Sequence, residues 1–567
     1  IGQWCFFRSN YSLDKNIKIF SSSLFNFKNS QKLVKENNIL YEKYLSFLAR
    51  ELNNLHEVKW KKKSWRILIG PWLLKFISVI NNRIYLVNDL KKKEKKFYFN
   101  PDINKNSLIS HNMSDYSDKI LTKEYNNIIF DRIINGFENT KIFQNKDQNK
   151  FEIENVSYYF QIFISKIVKL IGKIFFLKNN FVFYKIYVGN FFTTLKLLLH
   201  LKEIPQNYSK FSDTQKNSRF KFNYELRKKI KFFIKNKQDK LFYNFLIESM
   251  PTIYIEGFKN KISEVNKSFL PKKIKNVFTC NVFSDSLFKF WLSLKINSGL
   301  KLFYGQHGGG YHFLKDEPHE KHEIEISDYY ISWGWKNGRK VLPGCLFSVL
   351  SRKKFKFIES GKISIIFDVL HFYSDTNDCR HSIELDGADK KFFLNSNEFI
   401  YKFLNSLSDK NLKNTYLKFH PFEKRSEFSF EYFLTKNFKN LNILKNKKNI
   451  FDIFKESKLV VFTYFHATGF NQCVALNKPC IAFTVNADKI ILDKYKKLWN
   501  KMHKVGIFHS NYRSAANFLD NNSEKLKSWW FSEETQTVLN EFKKEHASKG
   551  PESFRLLTKI LKNKMSN

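Results

Sequence analysis

The chain has 567 residues, 43% of them hydrophobic, so it exceeds what one hydrophobic core accommodates and we expect at least two domains. Its net charge of +44 accompanies an excess of Lys, Asn, Ile and Phe, which is typical of an AT-rich coding sequence. The basic residues are spread along the whole chain, without a zinc-finger spacing, an aromatic RNA-binding motif or a basic tail, which argues against nucleic acid as the partner.

Cysteine and hydropathy patterns bear on the cellular compartment. Six scattered cysteines without a C-x-x-C pair argue against a disulfide framework and indicate a reducing cytoplasm. The most apolar region, residues 158–201, is interrupted by lysines and contains no lysine-free run of the ~20 residues that span a membrane. We expect buried helices there, or a face lying on the inner membrane surface. Because the chain begins without Met in a motif typical of a strand end, Gly2-Gln3-Trp4-Cys5, we expect an incomplete N-terminus.

The first 250 residues read mainly as helices and polar connections. A helical pattern covers residues 30–55. Residues 91–150 are polar and rich in Asn and Lys, which predicts loop or poorly ordered chain. We expect apolar helices from there to about residue 201, then a polar linker at 205–219 and a helical pattern at 224–254.

A strand–helix–strand pattern follows, at residues 277–282, 284–296 and 300–303. The second strand runs into Tyr304-Gly305-Gln306-His307-Gly308-Gly309-Gly310-Tyr311. The loop that leaves the carboxyl end of a strand in an open parallel sheet is where ligands bind. Consecutive glycines permit close backbone approach and positive φ, and a histidine titrates near neutrality. The simpler interpretation is a tight turn beside a buried histidine.

A second α/β unit begins near residue 361. Its predicted strands are at 363–367, 415–419, 459–462 and 479–483, with helices at 399–407 and 470–476. Such alternation predicts a parallel sheet. The sequence therefore predicts an α/β fold of two Rossmann-like domains facing a cleft (GT-B), with added N-terminal helices and a C-terminal closing helix.

The predicted domain boundaries follow from these elements. Residues 1–340 are expected to form an N-terminal domain with a helical insertion at about 91–220, which in a GT-B enzyme would be the acceptor side. Residues 341–522 are expected to form a C-terminal domain, which in a GT-B enzyme would bind the nucleotide sugar, and residues 523–567 a helix that packs back.

Two loops of the second unit carry candidate donor-binding groups. His420-Pro421 ends one strand, and Lys424 and Arg425 follow within a turn, a combination suited to phosphate. A His-Pro pair is also a common strand stop. The other loop, residues 463–469, contributes Thr463, His466, Thr468 and Gly469 just before a helix that carries Gln472. A helix N-terminus is a ready anion site, although a helix cap alone would explain Thr468.

An acidic cluster follows the glycine loop. It comprises Asp316, Glu317, Glu320, Glu323, Glu325 and Asp328. One of these, Glu325 first, is our candidate for the base that deprotonates an acceptor hydroxyl, with Asp328, His307 and Glu256 as alternatives. A solvated loop is the alternative interpretation. The histidines of His319-Glu320-Lys321-His322 are three residues apart, not four as in H-E-x-x-H, and no metal site is predicted.

The chain resembles a transferase family encoded in O-antigen and other surface-polysaccharide loci. The similar segments span nearly the whole sequence. They are Gly2-Gln3-Trp4-Cys5, residues 69–73 and 304–311, Glu325-Ile326-Ser327-Asp328 with Trp333-Gly334, residues 463–479 and 505–509, and Trp529-Trp530. The His-Pro and the hydroxyl-rich loop are also similar to those of GT-B enzymes that use CMP-activated acidic sugars and of CDP-glycerol phosphotransferases. The chain departs from this pattern at Gln472 and Gln3, where Glu is expected.

The resemblance implies a cytoplasmic, metal-independent glycosyltransferase, peripheral at the inner membrane, that uses a nucleotide-activated sugar and no further cofactor. The acceptor would be a surface glycan such as O-antigen or its lipid-linked form. The implied donor and acceptor contacts include Gln306, Gly308, Gly309, Gly310 and Tyr311. Two alternatives stay open: a CDP-glycerol-type phosphotransferase or nucleotide-sugar epimerase of the same fold, and a basic, non-catalytic membrane or nucleic-acid binding protein.

Overall fold

The computed structural model describes most of the chain. The described residues are 22–23, 27–94, 97, 108–137, 170, 174, 177, 179–204, 219–232, 234–367, 392–419, 430–438, 441–444, 448–484 and 487–565. The opening motif, the 205–218 linker, His420 and Lys424 lie outside them.

The first half contains a five-stranded, fully parallel sheet in the order β1-β2-β3-β4-β5. Its strands are β1 (Phe181–Tyr184), β2 (Asn276–Thr279), β3 (Lys301–Gly305), β4 (Tyr329–Ser332) and β5 (Val341–Pro343). The predicted boundary at residue 340 falls immediately before β5, which pairs with β4. The domain division itself stays a prediction.

Ten helices among the described residues belong to this half. They are α1 (Phe27–His56), α2 (Lys62–Lys93), α3 (Met113–Lys119), α4 (Lys123–Asn135), α5 (Phe191–His200), α6 (Tyr224–Lys228), α7 (Lys237–Ser249), α8 (Phe258–Lys267), α9 (Leu287–Asn297) and α10 (Pro318–Ile326). The core packs α2 against α1 and α9 and buries Trp65, Trp72 and Trp291. Large aromatic side chains contribute most to such burial because each removes 150–250 Å² from water.

Two predictions for this half are corrected. Residues 91–150 were expected to be loop, but α3 and α4 are helices, capped by the side chains of Asn112 and Thr122. Residues 158–201 were expected to be helical, yet Phe-Val-Phe-Tyr at 181–184 forms β1, the edge strand beside β2. Four consecutive aromatic or β-branched residues favour a strand, and all four are buried here.

Among the described helices, only α2 is long and apolar enough to cross a membrane, judged by length and composition. Its apolar window is 94% buried against the rest of the protein. This degree of burial is that of a core helix, consistent with its contacts to α1, α4 and α9.

The second half contains a six-stranded parallel sheet in the order β11-β10-β9-β6-β7-β8. Its strands are β6 (Lys362–Ile366), β7 (Thr415–Lys418), β8 (Asn442–Ile443), β9 (Ser457–Phe462), β10 (Cys480–Phe483) and β11 (Phe508–His509). Its described helices are α11 (Phe392–Asn405), α12 (Asp409–Lys413), α13 (Phe430–Asn437), α14 (Ile450–Glu456), α15 (Thr468–Ala475), α16 (Ala487–Ile490), α17 (Lys496–Lys504) and α18 (Tyr512–Asn522).

The C-terminal helices pack back onto both halves. They are α19 (Leu526–Trp530), α20 (Glu533–His546) and α21 (Ser553–Met565). Asn471 donates to the carbonyl of His546 at 2.7 Å, and the Ser548 amide donates to the carbonyl of Trp333 at 3.0 Å. Two parallel sheets, the added helices and this C-terminal return confirm the predicted α/β architecture of two Rossmann-like units.

Candidate functional site

A cavity of about 630 Å³ lies where the carboxyl ends of the two sheets meet. This volume falls within the ~300–1,000 Å³ of small-molecule sites. The first half lines it with Phe283, His307, Gly308, Gly309, Gly310, Tyr311, Glu317 and His319. The second half lines it with Ile366, Phe367, Lys418, Phe419, Lys448, Ile450, Phe462, Tyr464, His466, Ala467, Thr468, Gly469 and Gln472. The two loops singled out from the sequence therefore form opposite walls of one cavity.

The sequence suggested two reasons for the glycines of the first loop, close backbone approach and positive φ. The structure shows the first and not the second. None of Gly308, Gly309 and Gly310 has a positive φ. A Cβ on Gly309 would lie 2.5 Å from the carbonyl oxygen of His466, and a Cβ on Gly308 would lie 2.4 Å from the ring of Tyr311. Glycine thus allows the loop of the first half to contact the backbone of the second.

Gln306 holds this loop in place and does not line the cavity. Its Nε2 donates to the carbonyl of Gly308 at 2.9 Å. Its Oε1 accepts from the Trp333 amide at 2.9 Å and from Trp335 Nε1 at 2.8 Å. The predicted substrate contact is therefore corrected: the side-chain amide is buried and occupied, which explains why the Trp-Gly motif accompanies the loop.

His307 lies between the cavity and a fully buried carboxylate, that of Glu323. His307 Nδ1 is 2.9 Å from Glu323 Oε1, and a quarter of the His307 side chain is exposed. Tyr311 donates its hydroxyl to Glu323 Oε1 at 2.9 Å, and Tyr330 donates to Oε2 at 3.1 Å. Burial raises the pKa of Glu323, although nearby His307 opposes that shift. A carboxylate on one ring nitrogen orients an imidazole so that its other nitrogen can accept a proton.

The structure places the first two candidate bases elsewhere. Glu325 is exposed and lies two residues from Glu323 on α10, about 200° around the helix. Asp328 lies at the amino end of β4, opposite to the cavity, where it accepts from Lys63 Nζ and the Leu302 amide, both at 2.7 Å. Neither lines the cavity, so the structure does not support their assignment as base; of the candidate bases, His307 is the one that lines it.

Glu256, the last alternative, is occupied in an ion pair. Arg227 donates to it from Nε at 2.7 Å and from Nη2 at 2.9 Å. Such bidentate pairing uses both carboxylate oxygens. Glu256 is also absent from the cavity lining.

The second wall is the start of α15. Its N-cap residue, Ala467, has no side-chain cap bond, and Thr468 Oγ1 donates instead to the carbonyl of His307 at 3.4 Å. Of the predicted donor contacts in this loop, Thr468, Gly469 and His466 line the cavity, whereas Thr463 lies at the end of β9 outside the lining. The amide groups of a first helical turn and the helix dipole favour an anion at this position.

Gln472 lines the cavity one turn further along α15, and its Nε2 donates to Ser348 Oγ at 2.9 Å. The neutral amide thus connects α15 to the segment after β5.

Two lysines of the second half that sequence reasoning missed also line the cavity. Lys418 ends β7 and is 7% exposed, and burial lowers its pKa. Lys448 lies before α14 and pairs with Glu456. The sequence signal for Lys418 was its position at the carboxyl end of a predicted strand, two residues before His420. The roles of His420 and Lys424 stay predictions because both residues lie outside the described part of the chain.

Comparison with known families completes this picture. The model of the LIC12162 family transferase matches residues 1–561. The chain belongs to this family. Its membership makes the protein a transferase, as the resemblance implied. No curated protein matches the chain.

Solved structures show only a distant likeness. S. aureus MnaA, in a co-structure with UDP, is 10% identical with a TM-score of 0.36 over 69% of this chain and 97% of that chain. A protein assigned as UDP-N-acetylglucosamine 2-epimerase from Listeria monocytogenes gives the same identity and TM-score, over 69% and 98%. The UDP-GlcNAc 2-epimerase from Neisseria meningitidis, bound to UDP-GlcNAc, is 12% identical with a TM-score of 0.32, over 69% and 100%. Likeness at this level says nothing about activity.

Proposed function

We propose that this transferase moves a sugar, or a sugar-like group, from a nucleotide-activated donor to a glycan acceptor. The observation that supports the proposal is one cavity with two unlike walls. One wall carries the His307–Glu323 pair, and the other carries Lys418, Lys448 and the start of α15. A base facing an anion site is the arrangement that group transfer from a phosphate ester requires.

The proposed reaction uses both walls in one step. His307 Nε2 accepts the proton of an acceptor hydroxyl while Glu323 stabilises the imidazolium. The hydroxyl oxygen bonds to the anomeric carbon, and the bond from that carbon to the donor phosphate oxygen breaks. The electron pair stays on the phosphate, where the two lysines and the amides of α15 stabilise the negative charge.

Finer details remain part of the proposal. Similarity of the His-Pro and hydroxyl-rich loops to other GT-B enzymes supports a CMP-linked donor. The resemblance supports a surface-glycan acceptor such as O-antigen, and the scattered cysteines without a C-x-x-C pair support a cytoplasmic enzyme.

The first test is binding of the donor nucleotide. Ligands that bind the folded state raise its melting temperature, by an amount that grows with concentration. We expect one of CMP, CDP, UDP or GDP, or their sugar conjugates, to raise Tm. No shift with any of them would contradict a nucleotide site.

Lys418→Met should weaken binding of that nucleotide about 10- to 150-fold, because a hydrogen bond to a charged group contributes about 1.5–3 kcal/mol. Titration calorimetry measures the loss. The matched control is Lys458→Met, since Lys458 is 8% exposed in β9 of the same sheet but does not line the cavity. If the two variants bind the nucleotide with equal affinity, Lys418 does not contact its phosphate.

A further inference from the structure

The surface of α5 exposes apolar side chains that a soluble helix normally buries. Leu197 and Leu198 pack into the core, while Phe191 is 73%, Phe192 75% and Leu199 48% exposed. The helix start is well capped, since the Asn190 side chain accepts from the Thr193 amide at 3.0 Å. The two exposed phenylalanines therefore belong to an ordered first helical turn.

Helix α21 continues this surface with positive charge. Lys196 Nζ of α5 lies 5.1 Å from the centre of the Phe554 ring, which joins the two helices. The outward residues of α21 include Arg555, Lys559 and Lys562 beside the exposed Leu556. Neither helix contains an acidic residue in its sequence, and the acidic residue just before α21, Glu552, pairs with Arg555 at 3.2 Å. Among the described residues, the unpaired positive charge of this surface is therefore that of the lysines.

More basic residues lie next to the start of α5. A Cβ on Gly189 would be 2.7 Å from Ser351 Oγ, so the turn before α5 packs on the segment Ser351-Arg352-Lys353-Lys354. Burial, and then the charge of Lys354, lower the pKa of Lys543 to about 8. Three basic residues thus follow Ser351, the residue that contacts the turn before α5.

We propose that the surface formed by α5 and α21 docks the protein on an anionic lipid bilayer. Apolar side chains surrounded by lysines are the composition of helices that lie in the membrane interface. The other candidate occupants fit less well. Leu199 and Leu556 cannot stack on nucleic-acid bases, and lysine is depleted where proteins bind proteins.

This inference is independent of the proposed reaction. The surface lies on α5 and α21, none of whose residues line the cavity. Its failure would leave the nucleotide-binding tests unchanged, and a failure of those tests would leave the docking surface intact.

The test is co-sedimentation of the full chain with vesicles of phosphatidylcholine alone and of phosphatidylcholine with phosphatidylglycerol at about two to one. We expect binding to the anionic vesicles only. The binding should be lost near 1 M salt, where the screening length falls to about 3 Å. Phe191→Ser with Phe192→Ser should lower vesicle affinity at least about tenfold, since each ring removes apolar area from water. Lys559→Gln with Lys562→Gln should lower it and reduce the salt dependence.

The matched control is Ile39→Ser, which removes an apolar side chain that is 71% exposed on α1. It should bind vesicles as the unmodified protein does, and all variants should keep their Tm because the changed side chains are exposed. Failure of the unmodified protein to bind anionic vesicles would overturn the proposal. Normal vesicle binding by the variant with both Phe191→Ser and Phe192→Ser would also overturn it. The same holds if this variant keeps vesicle binding and loses binding to a single-stranded polynucleotide, the alternative occupant of the surface.

Discussion

Glu323→Gln is expected to lower turnover by about 10²–10⁴-fold, the usual contribution of a positioned base. The amide keeps the shape of the side chain but cannot stabilise a charged His307 ring. Affinity for the donor nucleotide should stay near that of the unmodified protein, because Glu323 is fully buried behind His307 and does not line the cavity. Steady-state kinetics and calorimetry measure the two effects separately.

The matched control is Glu325→Gln on the same helix. Glu325 is exposed and away from the cavity, so turnover should be nearly unchanged. If Glu325→Gln were the inactive variant and Glu323→Gln the active one, the base assigned here would be wrong.

Glu323→Gln is also expected to change how the stability of the protein depends on pH. Because burial raises the pKa of Glu323 above its ordinary 4.5, the folded chain holds a proton that the unfolded chain has lost between those two pKa values. Unfolding free energy therefore falls as pH rises through this window. Glu323→Gln lacks the titrating carboxyl, so its stability does not fall in this window. The Tm of the variant minus the Tm of the unmodified protein should therefore increase as pH rises from acid to neutral. An unchanged or falling difference would contradict a raised pKa.

Gly309→Ala is expected to reduce activity at least about 10²-fold, since a misplacement of 1 Å near reacting groups has effects of that size. The added Cβ would lie 2.5 Å from the His466 carbonyl oxygen and 2.7 Å from Thr468 N. Both are backbone atoms, which cannot rotate away, so the glycine loop and the start of α15 must separate. We expect a stability loss of about 1–3 kcal/mol as well, measured by denaturant unfolding.

The control for Gly309→Ala is Gly550→Ala. Gly550 has ordinary φ, and no atom lies within 4 Å of the position of its Cβ. Its activity and stability should match the unmodified protein. Normal activity in Gly309→Ala would show that the two loops need not touch for the reaction.

Much of the architecture could be predicted because local patterns specify it. The strands β2, β3, β6 and β7 and the helices between them follow apolar runs of the right length, and Ser286 caps α9 where the pattern begins. Parallel strands place their carboxyl ends at one edge, so the glycine loop and the Thr468 loop were expected to face a ligand. Their position on opposite walls of one cavity agrees with that expectation.

Individual roles within the site were less accessible from the sequence. Gln306 lies in the motif with His307, yet three hydrogen bonds occupy its amide, and these partners come from residues up to 29 positions away. Lys418 was overlooked because a lysine that ends a strand carries no motif. Contacts between distant residues decide such roles.

The amino-acid sequence by itself determined the central strands of the two parallel sheets and the loops that carry chemistry, because hydrophobic periodicity and glycine act over short distances. Only the tertiary structure decided that Glu323, and not Glu325, reaches His307. Adjacent acids look alike in sequence, but a helix turns about 100° per residue, so its packing on the sheet selects which of them becomes buried beside the cavity.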